Sequence, residues 1–552
     1  MQRATKRLES ETFDLLVIGG GIHGAALARE AATRGLSTAL VEQADFCSGA
    51  SANSLKIMHG GLRYLQQADV PRVLQSIRER AILLRTAPHL VRPMPCIMPT
   101  QGLGMKSRPA LALGMLANDI LSATRNRGLP PSRHIPNGGT FSRKECLRQL
   151  PWLKDSGVTG GARWYDALAQ DTERLAIALL KSADAAGAAL ANYTKAETFI
   201  VEHGRVTGVT VRDALDGRTF PVQARTVVNA AGPWSPELLD GIARPLPPGV
   251  NLALAINLVV KNWPVTESAV GLQSAVNPRL FFFVPWRGAT MAGTYYRAHT
   301  GPLSDMRVTE ADITSYLEMI NTCLPGVRLT PDDILTVQAG ILPTQGVFKE
   351  GCEPVMLRHF QFTDHGKQGG PAGLYSVLGV KYTTSRAAAE IAIDSIVRRS
   401  GLCAGPSVTR QAAMTGGDTP DAARLPAELR AARPSLKGKD AERLATLYGT
   451  EAAAIVKRAQ ENLTTTASSE DAMLQAEIGF VLEGEMPQSL GDLLFRRMGT
   501  ANAGKPDPQH VRDCARIMGS NRGWDTEREA REVKAVLDAP HLWQAGCHPI
   551  TK

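Results

Sequence analysis

Residues 13–35 read FDLLVIGGGIHGAALAREAATRG, and their reading decides the fold. Phe13 to Ile18 is a short apolar run rich in β-formers that leads straight into Gly19-Gly20-Gly21-Ile22-His23-Gly24 and an alanine-rich helical segment. The order is strand, glycine turn, helix. Gly19 permits the tight turn, Gly21 lets the backbone approach a pyrophosphate, and Gly24 lets the helix pack close to the sheet. The N-terminus of that helix offers unpaired N–H groups to phosphate. A second strand, LSTALVE, ends in Glu42, eighteen positions after Gly24, where a carboxylate meets a ribose hydroxyl. An acidic residue there favours an unphosphorylated ribose, as in NAD or FAD, over NADP.

The next segment, residues 45–66, reads DFCSGASANSLKIMHGGLRYLQ. Its small side chains and glycines let a loop pass close to a flat cofactor, and Arg63 adds a permanent cation. Ser48-Gly49-Ala50-Ser51, Lys56 and His59-Gly60-Gly61-Leu62-Arg63-Tyr64-Leu65 resemble the stretch that follows the ribose carboxylate in flavin-dependent glycerol-3-phosphate dehydrogenases. The same pattern continues at Trp164-Tyr165-Asp166, at Asp171-Thr172-Glu173-Arg174-Leu175 and at Thr226 to Trp234, where Ala231 and Gly232 end an apolar strand. It returns at Gly373 to Arg386, again strand, turn and helix, where Lys381, Thr383, Thr384 and Arg386 agree with the family pattern and Val380 and Ser385 differ.

The resemblance implies FAD as cofactor, held by Gly19, Gly21, Gly24, Glu42, Ser48, Ser51, Lys56, His59, Gly60, Ala231, Gly232, Lys381 and Thr383. It also implies a small anionic, phosphorylated substrate on Arg63, Tyr64 and Arg358, with Lys381, helped by His59, as the base that takes the hydroxyl proton. The expected reaction is hydride transfer from a secondary alcohol to flavin N5, with quinone or oxygen as the final acceptor.

Cofactor segments this far apart imply an α/β fold assembled from distant pieces. A discontinuous Rossmann-like FAD-binding domain takes residues 1–100, 157–234 and 346–402. Substrate and cap regions take 101–156 and 235–345, where strands such as LALAINLVV and RLFFFVPW suggest an antiparallel sheet roofing the flavin, in the manner of D-amino-acid oxidase and glutathione reductase. Residues 403–552 form a C-terminal α-helical domain of amphipathic helices.

Composition narrows the function classes. The 552 residues carry 62 Lys+Arg against 53 Asp+Glu, a net +9 without basic blocks interleaved with aromatics, which argues against a nucleic-acid partner. The 8 cysteines lie far apart with no C-x-x-C pair, so no metal site is expected, and they read as reduced, mostly buried thiols of a cytoplasmic protein. No apolar run reaches spanning length. Residues 99–134, apolar in the middle and basic at the ends, fit either a packed helix hairpin or a peripheral contact with the inner membrane, and a homodimer stays open.

Two positions depart from the family, through misalignment across a loose loop or through a real change of substrate or mechanism. Asn257 stands where the family has the histidine of a Gly-Ser-His strand, and Leu342 where it has the arginine of Gly-Val-Arg-Pro-Leu. They predict weak turnover of glycerol 3-phosphate unless another cation, Arg297 or His299, fills the gap. They also keep two other readings open: an amine or amino-acid oxidase on the same fold, and a flavin-binding protein that has lost its chemistry.

Overall fold

The computed structural model describes residues 1–539 apart from 66–68, 103, 105–106, 155, 244–246, 248, 262–266, 274–278, 325, 347, 349–352 and 463–468, and only the backbone of 63, 304, 462 and 469. Among the described residues the strands gather into two sheets, of eight and ten strands.

The first sheet is built outward from Thr12–Ile18, in which Phe13, Leu15, Leu16 and Val17 are fully buried. A strand covered on both faces reads as one continuous apolar run, which is why FDLLVI shows no alternation. It pairs in parallel with Thr38–Val41 on one side and Thr219–Asn229 on the other. The strands Ala189–Ala191 and Leu374–Leu378 extend the parallel order at either end. This brings Gly19, Glu42, Ala231 and the turn after Leu378 to the carboxyl edge of one sheet, where open α/β folds bind their ligands.

The second sheet roofs that edge. Its order runs from Val355–Met356 through Ile334–Gln345, Val250–Val260, Ala289–His299, Leu280–Trp286 and Ala269–Gln273 to Val91–Gln101, Val158–Ala169 and Ile57–Met58. The strands Ile57–Met58, Val91–Gln101 and Val158–Ala169 thus join the roof, although the sequence reading placed them in the FAD-binding segments. The reason is non-local. Trp164 and Ala162 pair with Cys96 and Met98, and no local periodicity tells a strand which sheet will receive it.

Helices Leu425–Ala432, Gly438–Tyr448, Ala452–Asn462, Ser469–Gly484, Pro508–Arg522 and Thr526–Asp538 pack around their own apolar core of leucines, alanines and Tyr448. Within the stretch 99–134 the α-helix Arg108–Leu121 buries Met115 and leaves Leu113, Leu116 and Ile120 more than half exposed. No helix among the described residues is long and apolar enough to cross a membrane.

Candidate active site

A cavity of about 1020 Å³ lies between the two sheets. The glycine turn forms one end. Gly19 has φ +106°, a conformation that L side chains avoid, and a Cβ on Gly24 would stand 1.8 Å from the Gly19 carbonyl oxygen, so helix Ile22–Thr33 can meet the strand only through glycine. Gly21 opens onto the cavity, and Ser51 Oγ accepts the Ile22 N–H at 3.0 Å, tying the loop after Glu42 to the helix start. The Glu42 carboxylate accepts the N–H groups of Gly20 at 2.6 Å and Ala44 at 2.9 Å. Burial nevertheless pushes its carboxyl up from the ordinary value, against those donors.

Of the residues the sequence assigns to the cofactor, Gly19, Gly21, Glu42, Ser48, Ser51, Lys56, His59, Ala231, Gly232, Lys381 and Thr383 all line this cavity. Gly24 and Gly60 stand behind its wall. The Gly60 N–H donates to Asp166 Oδ1 at 2.5 Å, and Arg80 Nη1 reaches the same oxygen at 3.0 Å. Trp164 Nε1 donates to Asp166 Oδ2 at 2.9 Å, so a buried carboxylate fixes the turn that carries His59. The Lys56 ammonium is held by protein partners: it is fully buried, ion-paired with Glu173 at 3.0 Å, and donates to the Ala52 carbonyl at 2.7 Å. It shapes the loop.

The cavity fits FAD on the structure's own terms. Both ring nitrogens of His23, a cavity-lining residue at the start of the glycine-turn helix, are buried without a hydrogen-bond partner. Buried donors and acceptors of this kind call for a ligand. Gly340 on the roof lets strand Ile334–Gln345 approach the loop so closely that a Cβ there would lie 2.8 Å from the Ala50 Cα.

At the other end stands a cationic cluster around Tyr64. The Arg72 guanidinium lies over the Tyr64 ring at 3.7 Å and the Lys381 ammonium at 4.7 Å, while His59 meets the ring edge-on at 5.5 Å and shares a 3.3 Å hydrogen bond with the Tyr64 hydroxyl. Arg72 is only 7% exposed, and its Nε is a buried donor without a partner. Lys381 Nζ donates to the Arg358 carbonyl at 2.9 Å, and the Arg358 side chain is exposed at the cavity mouth. Burial, reinforced by Arg72, lowers Lys381 to about 7. Burial takes His59 down to about 4, so it is a neutral hydrogen-bond partner at pH 7 and a weak base. Arg63 belongs to the helical turn Leu62–Leu65, and its side chain lies outside the described residues.

Sequence reading missed Arg72, which follows Pro71 at the start of helix Val70–Thr86 and looks there like an ordinary surface cation. It also missed Arg279. On the roof, Ala255, Asn257, Gly340 and Leu342 all line the cavity, and register places Asn257 opposite Gln338 and Leu342 opposite Ala253. Asn257 bridges two walls, accepting from Thr294 Oγ1 at 2.8 Å and donating to the Asn53 carbonyl at 3.1 Å. The cation beside it is Arg279, which donates to the Thr294 carbonyl, pairs with Glu353 and lies over the Phe281 and Tyr296 rings. Arg297 and His299 do not line the cavity: Arg297 pairs with Asp312 at 2.6 Å and His299 bonds the Pro302 carbonyl at 3.1 Å. Both lie on the strand end beyond Tyr296, past the cavity wall, and the cation that does line the cavity there, Arg279, immediately precedes the neighbouring strand Leu280–Trp286.

Comparison with known proteins agrees with this geometry. Residues 14–395 match the FAD dependent oxidoreductase family, and residues 407–529 match the C-terminal domain of alpha-glycerophosphate oxidase. The chain is 32% identical to glycerol-3-phosphate dehydrogenase 2 of Mycobacterium bovis, over 98% of this chain and 91% of that protein. It is 31% identical to the aerobic glycerol-3-phosphate dehydrogenase of Staphylococcus aureus, over 90% and 88%. Among solved structures, the glycerol-3-phosphate dehydrogenase from Bacillus halodurans complexed with FAD superposes with a TM-score of 0.76 at 26% identity, covering 100% of this chain and 99% of the other.

Proposed function

The chain belongs to the FAD-dependent oxidoreductase family, among its glycerol-3-phosphate dehydrogenases, and from that premise we propose that it oxidises a CH–OH group of a small phosphorylated substrate held at the Tyr64 end of the cavity. The observation that carries this reading is Arg72, Lys381 and Arg358 lining one end of a cavity whose other end is the glycine turn. Full-length likeness to glycerol-3-phosphate dehydrogenases, C-terminal domain included, favours it over the amino-acid oxidase reading.

Bound FAD supplies the hydride acceptor. The chain supplies the rest. Arg72 and Arg358 hold the anion, Arg72 with a donor already buried and unpartnered. Lys381 Nζ takes the hydroxyl proton, a task suited to a lysine at about 7, because a base is most effective when its pKa lies near the working pH. His59 stays neutral and orients Tyr64 between the two cations. Electrons then pass to quinone or oxygen. Anaerobic mixing with polyol phosphates and with amino acids tests the class: bleaching of the flavin by the phosphates alone is expected, and bleaching by amino acids alone overturns the reading.

Lys381→Met is expected to slow flavin reduction by roughly 10²–10⁴-fold, the range for a lost general base, with little change in substrate affinity. In the wild type, kcat/KM falls as pH drops through about 7, since protonated Lys381 cannot accept a proton. The kcat limb lies higher, because bound phosphate favours the ammonium. A pH-independent reduction rate removes Lys381 from the proton step.

Arg72→Met is expected to weaken substrate binding by about 1.5 to 3 kcal/mol, the worth of a charge-assisted bond, and Arg358→Met by less because that side chain is exposed. Arg72→Met should also move the kcat/KM limb upward, since Arg72 is one cause of the lowered Lys381 value. Unchanged affinity in both variants makes these arginines structural.

We further propose peripheral attachment to an anionic membrane through the exposed Leu113, Leu116 and Ile120 face of helix Arg108–Leu121. Flotation with anionic liposomes at low salt is expected to carry the protein upward, and Leu116→Glu to leave it at the bottom. Wild-type protein that stays at the bottom refutes the attachment.

A further inference from the structure

We propose that Arg496 and Arg497 of the C-terminal helical domain are positioning residues for the cofactor, acting through Asp45. The inference rests on the FAD reading of the cavity. Asp45 lies three positions after Glu42 and three before Ser48, both of which line the cavity, whereas Asp45, Arg496 and Arg497 do not. Its carboxylate is fully buried and accepts from Arg496 Nε at 2.6 Å, from Arg497 Nη1 and Nη2 at 2.9 and 2.8 Å, and from Asn192 Nδ2 at 3.0 Å. Both arginines end the π-helical turn Asp492–Arg497. Successive residues of a regular helix do not face each other, and widened turns of this kind recur at functional sites. Here the turn lets both guanidinium groups converge on one carboxylate.

A buried charge is tolerable only where its partners are, so Asp45 cannot move without Arg496 and Arg497. The backbone around it is tied directly to the cofactor-facing groups. Ser48 N–H donates to the Asp45 carbonyl at 3.2 Å, Cys47 N–H to the Gly20 carbonyl at 3.1 Å, and Thr194 N–H to the Glu42 carbonyl at 2.7 Å. Tyr193 repeats the link from the other side, its N–H on the Ala44 carbonyl at 2.9 Å and its hydroxyl on Asp492 at 2.9 and 3.0 Å. Arg497 Nε is held in turn by the Glu485 carbonyl at 3.0 Å, and Glu485 pairs with buried Arg174, which follows the Thr172 and Glu173 that hold Lys56. The domain matched to alpha-glycerophosphate oxidase therefore sets the shape of the loop that receives the cofactor's ribose and pyrophosphate.

The test is FAD titration of apoprotein, read by quenching of flavin fluorescence. Arg497→Met and Arg496→Met are each expected to raise the FAD Kd about tenfold to hundredfold, the ordinary size of coupling between linked sites, while kcat at saturating FAD stays within about threefold. Arg497→Lys, which keeps the charge and loses the fork, should fall between. A Kd equal to wild type in variants whose apoprotein melts at a lower temperature makes the arginines mere buttresses of their own domain and overturns the proposal. Wild-type apoprotein that binds no FAD refutes the cofactor reading instead, so the two failures are distinguishable. If the methionine variants do not fold, the wild type still decides: coupling is reciprocal, so FAD should slow amide exchange at residues 489–498, and unchanged exchange there overturns the proposal.

Discussion

Gly21→Val protein is expected to purify colourless and to take up no FAD on reconstitution, while keeping the circular dichroism of the wild type. Gly21 lines the cavity, and a Cβ there would meet the Ser51 side chain alone, its Oγ at 3.0 Å and its Cβ at 4.0 Å. The protein around Gly21 can thus accept a side chain, and what the side chain displaces is the ligand: two branches on Cβ fill the space a pyrophosphate needs. Ser51 Oγ must also give way, and it holds the Ile22 N–H at the helix start. Gly24→Val fails differently. Its Cβ would lie 1.8 Å from the backbone oxygen of Gly19, which no rotamer relieves, so loss of the fold is expected there. Flavin released on denaturation and a reconstitution titration measure both variants. A yellow, stoichiometrically loaded Gly21→Val protein refutes the seat assigned to the cofactor.

That seat was legible in sequence because its determinants are local. The glycines, the strand before them and Glu42 fall within thirty consecutive residues, and each does its work through backbone geometry that composition dictates. The match to residues 14–395 and to 407–529 follows the fold read from those motifs. Side-chain roles at the far end were less legible. Arg72 gains its meaning from Tyr64 and Lys381, which lie on separate segments and meet only in the folded chain. Lys56 stands in a cofactor motif, yet Glu173, 117 positions away, claims its charge. Membership of a sheet was hidden for the same reason: between Val91–Gln101 and its partner Val158–Ala169 lie the helices Arg108–Leu121 and Arg143–Gln149 and the strand Gly139–Ser142. Motifs report what the backbone must do; partners of long, charged side chains are set by topology.

Glycerol 3-phosphate is expected to reduce the flavin at least about a hundredfold more slowly than it does in an enzyme with an arginine at position 342, the usual cost of losing one donor to a developing oxyanion. Leu342 and Asn257 both line the cavity, on adjacent roof strands. A polyol hydroxyl buried against Leu342 finds no partner there, and an unpaired buried hydroxyl is costly. Asn257 offers little relief, since its carbonyl oxygen already accepts from Thr294 and its amide already donates to Asn53. Arg279 is the roof's cation, but Glu353 neutralises it and the Thr294 carbonyl accepts from it. Arg72 and Arg358, the pair proposed to hold the anion, both line the cavity by contrast, so affinity for a phosphate should survive while the rate with glycerol 3-phosphate does not. A phosphorylated substrate with a less polar group beside the reacting carbon should therefore be turned over faster, because Leu342 then gives apolar contact in place of a missing hydrogen bond. Anaerobic reduction rates across phosphates of graded polarity measure this directly. Should glycerol 3-phosphate match the rate normal for its class, Arg279 must leave Glu353 to serve the substrate, and Arg279→Met must then abolish turnover; a fast glycerol 3-phosphate reaction that survives Arg279→Met refutes the reading of both Leu342 and Arg279.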